Sequence, residues 1–145
     1  MNITKWDRAH MTTAENYAQL SSAKRAQVGC VLVKDNRILS IGYNGMPSGW
    51  TNECEVEIKW PNGHVVATET KPEVLHAEAN AITKVARSHE SCEGATIYST
   101  MLPCLECAKL IYQAGIVKVF YRDSYPKGTA GLEFLQKCYI PVIKI

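Results

Sequence analysis

"ATIYSTMLPCLECAKLIYQAGIVKVFY", residues 95–121, decides the fold. Residues 95–100 form a short run with β-branched and aromatic side chains and read as a strand. Residues 104–115 carry apolar side chains at helical spacing, opened after Pro103 and closed by Gly115. Residues 117–121, "VKVFY", are a second strand. The alternation continues on both sides. A helix is expected over 74–88, a short helix over 130–138 and a last strand over 140–145. Strands alternating with helices argue for a central sheet covered by helices on both faces. Further upstream, "QVGCVLV" (27–33) and "ILSIGYN" (38–44) flank the turn residues "KDNR" and read as a hairpin, which makes the sheet mixed. A helix spans 6–22, and 45–52 is a loop punctuated by glycine and proline. Residues 53–74 carry the weakest pattern, with "PNGH" as a turn at the tip of a second hairpin.

The chain has 145 residues, 46% hydrophobic and 21% charged, which suits a single folded domain over 1–145. A formal net charge of +2 is too mild for a dedicated nucleic-acid binder, though a local basic pocket could still hold a phosphate. No apolar run reaches the roughly 18 residues of a membrane span. The opening "MNITKWDRAHMTT" lacks the apolar stretch of a signal peptide, so a cytoplasmic setting is expected. In that setting the six cysteines stay reduced. Four of them, Cys30, Cys54, Cys92 and Cys138, are expected as small core residues. Cys104 and Cys107 stand apart as a close pair.

Two polar motifs open neighbouring helices: "HAE", His76 to Glu78, and "PCLEC", residues 103–107. His76, Cys104 and Cys107 make three zinc donors. Three protein ligands with water in the fourth position is the pattern of a catalytic site, whereas structural sites close all four. In a Cys-x-x-Cys pair at a helix start, both sulfurs can point past the helix end. Unpaired backbone N–H groups and the positive end of the helix dipole favour thiolates there. Glu78 is expected to carry protons to and from the reacting water. Ala77 between them leaves room by its size. Each motif alone has a plainer reading. "HAE" suits a solvated helix end, and a Cys-x-x-Cys after a strand suits a thioredoxin-like redox pair, which stays as the competing reading. Together, H-x-E, a strand and P-C-x-x-C form the signature of zinc-dependent nucleobase deaminases.

With "QVGCVLV", "IGYNGMP", "HAEANAI", "PCLECAKLI" and "QAGIVKV" in this order, the chain resembles the cytidine deaminase superfamily, and within it the deoxycytidylate deaminases. The resemblance implies a three-layer α/β/α fold with a five-stranded mixed sheet. It implies hydrolysis of dCMP to dUMP and ammonia, feeding thymidylate synthesis. His76, Cys104 and Cys107 match the zinc ligands and Glu78 the proton shuttle. Asn44 matches an asparagine that holds sugar or base. Lys24 and Arg25 fall where relatives place basic residues near the substrate phosphate, and also read as a solvated basic turn. Tyr125 falls where relatives carry an aromatic that closes over the substrate. The resemblance further implies activation by dCTP, inhibition by dTTP, a hexamer, and Mg²⁺ accompanying the triphosphate. The effector region matches Tyr43, Asn44, Gly45, Pro47 and Gly49. Some viral relatives, which work in a host cytoplasm, bind a second structural zinc. Here Ala23 stands where one such cysteine falls, and Cys54 with His64 does not close a site. Other free cytosine nucleotides, dCTP among them, remain alternative substrates.

Overall fold

The computed structural model describes residues 2–145. The elements run α1 (Lys5–Ala18), β1 (Gly29–Lys34), β2 (Arg37–Tyr43), β3 (Glu55–Lys59), β4 (Val65–Thr70), α2 (Ala77–Ala86), β5 (Thr96–Met101), α3 (Leu105–Gln113), β6 (Lys118–Asp123), α4 (Ala130–Lys137) and β7 (Val142–Lys144). A five-stranded sheet has the order β2-β1-β5-β6-β7. It is mixed: β1 pairs antiparallel with both β2 and β5, and β5-β6-β7 run parallel. This is the expected α/β architecture.

Side-chain alternation along the central strands builds two cores. On one face Val31, Val33, Tyr98 and Phe120 pack under Met11 and Ala14 of α1. On the other, Cys30, Leu32, Ile97 and Val119 pack under α2, α3 and α4 through Ala81, Val85, Ala108, Ile111 and Leu135. The helices therefore sit on both faces, with α1 alone on its side. Tyr98 ties that side together. It stacks on Phe120 at 4.9 Å, and its hydroxyl donates to Asp7 Oδ1 at 2.7 Å. Asp7 also completes the capping box at the start of α1: its Oδ2 accepts from the Thr4 N–H, and its own N–H donates to Thr4 Oγ1.

Two glycines set how closely helices approach the sheet. A Cβ on Gly29 would run into the Ala14 carbonyl and lie 2.6 Å from the Ala18 nitrogen of α1. A Cβ on Gly42 would run into the Ala77 carbonyl and lie 2.8 Å from the Ala81 nitrogen of α2. The β1–β2 turn places Asp35 and Asn36 at φ 51° and 57°, the two left-handed residues of a type I′ hairpin. At Gly115, φ 86°, the left-handed backbone closes α3.

Element ends differ from the pattern in places. The helix expected from residue 74 starts at Ala77, because Leu75 is drawn into a backbone bridge with Gly45. Residues 53–74 contain a complete antiparallel hairpin, β3–β4, separate from the main sheet. Cys30, Cys54 and Cys92 are buried, Cys138 is half-buried, and all six thiols are free. Cys54 lies with Ala23 and Val74, whereas His64 sits in the exposed turn of the second hairpin. No described helix is long and apolar enough to cross a membrane.

Candidate metal centre and substrate cavity

The centre forms where two helices begin. His76 is the N-cap of α2 and Cys104 the N-cap of α3, both with extended backbone, and neither side chain caps its own helix. Cys107 lies one turn into α3 and is buried. Strand β5 delivers the chain to this point, since Met101 is followed by Leu102, Pro103 and Cys104. The three donor atoms lie within 4.8 Å of one another. His76 Nδ1 stands 3.5 Å from Cys104 Sγ and 3.4 Å from Cys107 Sγ. Zinc bond lengths of about 2.3 Å to sulfur and 2.0–2.1 Å to nitrogen, held tetrahedrally, require nitrogen–sulfur edges of roughly 3.6 Å. The set therefore fits zinc in size, donor type and number.

The electrostatics match the donor set. The hydrogen bond from Cys107, with His76 adding to it, holds the Cys104 thiol down to about 4. The same contact, together with burial, pushes Cys107 up. The hydrogen bond to Cys104 also raises His76 above its ordinary value, against burial.

Glu78 sits in the first turn of α2 and is 4% exposed. Burial raises its carboxyl above the ordinary range, opposed by the contacts with Cys107, His76 and Ser99. Ser99, fully buried on β5, donates to Glu78 Oε1 at 3.0 Å. That fixes one carboxylate oxygen of a residue that lines the neighbouring cavity.

A cavity of about 430 Å³ opens over this cluster. His76, Glu78, Cys104, Asn44, Arg25 and Tyr125 all line it, so six of the residues singled out from the sequence converge. Lys24 lines a different groove, beside β3, and its backbone N–H donates to Glu55 Oε1 at 2.7 Å. Asn44 spends its amide on backbone: Oδ1 accepts from the Val28 N–H at 2.9 Å and Nδ2 donates to the Ala26 carbonyl at 2.8 Å. It thereby fixes the cavity wall that carries Arg25. Of the expected effector residues, Asn44 alone lines the cavity. Tyr43 closes β2, Gly45 bridges Leu75, the Pro47 carbonyl accepts from Trp50, and Gly49 holds φ 86° in the loop between.

Sequence reading missed Ser99, Lys127, Glu55 and Thr70, the last three in the cavity wall. A polar "ST" inside the otherwise apolar β5 was the signal for Ser99. Lys127 and the two hairpin residues arrive through loops and register, which periodicity does not report.

A family model, the cytidine and deoxycytidylate deaminase zinc-binding region, matches residues 4–123. The chain is 40% identical over 124 residues to the deoxycytidylate deaminase of Homo sapiens, covering 83% of this chain and 67% of that one. It is 36% identical over 137 residues to the deoxycytidylate deaminase of Enterobacteria phage T4, covering 72% and 71%. The crystal structure of dCMP deaminase from the cyanophage S-TIM5, in complex with dCMP and dUMP, superposes over the full length of both chains. Its TM-score is 0.86 and its identity 41%.

Proposed function

Because the chain belongs to the cytidine and deoxycytidylate deaminase family, we propose that it hydrolyses dCMP to dUMP and ammonia. One observation carries the reading: a three-donor metal cluster and a buried carboxylate open into the same cavity as a basic side chain, Arg25.

His76, Cys104 and Cys107 would hold zinc. When bound there, zinc supplies Lewis-acid activation of water, whose pKa it brings from 15.7 toward about 7. The remaining chemistry belongs to the chain. Glu78 takes a proton from the attacking water and places it on N3 of the cytosine, which makes C4 electrophilic. It then takes the second proton and delivers it to the exocyclic amino group. The C4–N bond breaks, the C4 carbonyl forms and ammonia leaves. Ser99 holds Glu78 Oε1, so the second oxygen carries the proton. One carboxylate working in both directions contributes about 10²–10⁴-fold.

Asn44 shapes the wall beside sugar and base, Arg25 supplies positive charge for the phosphate, and Tyr125 closes over the ligand. The domain is a single unit over 1–145. In this reading dCTP activates and dTTP inhibits, with Mg²⁺ on the triphosphate, at the segment holding Tyr43, Asn44, Gly45, Pro47 and Gly49, in a hexamer. The setting is cytoplasmic, and the phage relative fits a virus-encoded enzyme in a host cytoplasm. A redox role for Cys104 and Cys107 leaves His76 and Glu78 without a purpose.

The test is ammonia release from dC, dCMP, dCTP and CMP, with and without dCTP and dTTP plus Mg²⁺. Preferred turnover of dCMP supports the reading. Zinc-loaded protein inactive on every cytosine nucleotide overturns it, and dCTP as the preferred substrate replaces dCMP in it.

A further inference from the structure

The hairpin β3–β4 stands apart from the fold. Among the described residues, neither strand is hydrogen-bonded to the main sheet and no helix packs closely on the pair. Every residue of both strands except Glu55 is exposed. Its faces differ. Glu57 and Lys59 point to one side with Thr68. Val56 and Ile58, 44% and 37% exposed, point to the other with Ala67 and one charged residue, Glu69, and Trp60, 59% exposed, continues that row. A two-stranded hairpin with an uncovered apolar face is marginal in water, and three or more strands are needed for independent stability.

The backbone shows where a third strand can go. The Lys71 N–H donates to the Cys54 carbonyl and the Trp60 N–H to the His64 carbonyl. Bonding in an antiparallel ladder alternates. Positions 54, 56, 58 and 60 therefore face β4, and Glu55, Glu57 and Lys59 turn their backbone groups outward. An edge of this kind is a template for another strand. The sequence of β3 fits its own copy. Antiparallel pairing about a two-fold axis at Ile58 sets Glu57 opposite Lys59 of the second copy, twice. It also sets Val56 opposite Trp60 twice and Ile58 opposite itself. Opposite charges and aromatic–β-branched pairs are the favourable cross-strand combinations. The parity agrees as well: Glu57 and Lys59 supply the outward backbone groups, and Ile58 falls at the non-bonded position.

We propose that β3 is a self-pairing edge, joining two copies of this chain into a continuous four-stranded β4-β3-β3-β4 sheet about Ile58. The pairing is isologous, the commonest form of oligomer contact. It does not depend on what the cavity binds.

Sedimentation velocity over a wide protein-concentration range tests it, with circular dichroism confirming that each variant is folded. Glu57→Lys and Lys59→Glu each put like charges across the axis and should raise the dissociation midpoint about tenfold, while the double exchange returns it toward wild type. A second readout is covalent. The Ile58→Cys protein should cross-link across the axis under mild oxidation, where facing Cα atoms lie about 4.5 Å apart, within disulfide range. Val56→Cys and wild type should not cross-link. Wild type that stays monomeric throughout overturns the proposal and leaves the face to a different partner. So do single reversals that keep the wild-type mass, which put any self-association elsewhere. Single reversals that the exchange fails to rescue overturn the register.

Discussion

Glu78 shows what one residue owes to its surroundings. It is buried at the start of a helix, with one oxygen held by Ser99. Glu78→Gln keeps the shape and removes the carboxylate proposed to carry protons. Turnover should fall by at least about a hundredfold, while metal analysis finds zinc still bound. Near-normal rates would remove Glu78 from its role. Asp7 is a second residue whose neighbours decide its behaviour. Burial alone would raise its carboxyl. The Thr4 N–H, the Tyr98 and Thr4 hydroxyls and the Lys118 charge outweigh that and lower it below 3.8. A carboxyl lowered on folding adds stability that is present above its unfolded pKa and lost as pH falls through the folded value. Urea unfolding of wild type should weaken across that acid window, and Asp7→Asn should flatten this part of the profile. The candidate metal donors were legible because zinc demands specific donors at specific spacing. Ser99 and Lys127 were not, since a serine in a strand and a lysine in a loop take their meaning only from what faces them.

At the scale of elements, Gly42 lets α2 lie directly on β2. Gly42→Ala would drive a methyl group into the Ala77 carbonyl and displace the helix that carries His76 and Glu78. A loss of about 1–3 kcal/mol in urea unfolding is expected. Activity should fall further than stability alone accounts for, because the Glu78 carboxylate moves with its helix. A variant with wild-type stability and rate would show that the sheet yields instead. Hairpin β1–β2 was readable from "KDNR", whose residues accept the left-handed turn. Hairpin β3–β4 was nearly silent. It has no core to bury, and an extra residue in β4, opposite the Ile58–Lys59 step, interrupts the alternation of that strand. Where strands face a core, periodicity records it; where they face solvent, it fades.

For the whole molecule, the metal cluster ties the starts of two helices across the end of the sheet. Zinc binding to the folded state contributes about 2.7 kcal/mol when free metal stands at a hundred times the dissociation constant. Chelation should then lower the melting temperature by roughly 5–10 °C in a calorimeter, and added zinc should restore it. Equal melting with and without chelator would mean that the cluster bears no load in the fold. The layered architecture was legible because strands and helices alternate along the chain. The strand order was not. That β1 sits between β2 and β5 depends on which apolar faces meet, and chain order alone does not say. Because His76 and Cys104 stand where a helix would gain most from Asp, Ser or Thr, folding and turnover compete for the same two positions. Selection for heat resistance alone, in a medium without zinc, therefore rewards better caps there and erases the enzyme as it succeeds.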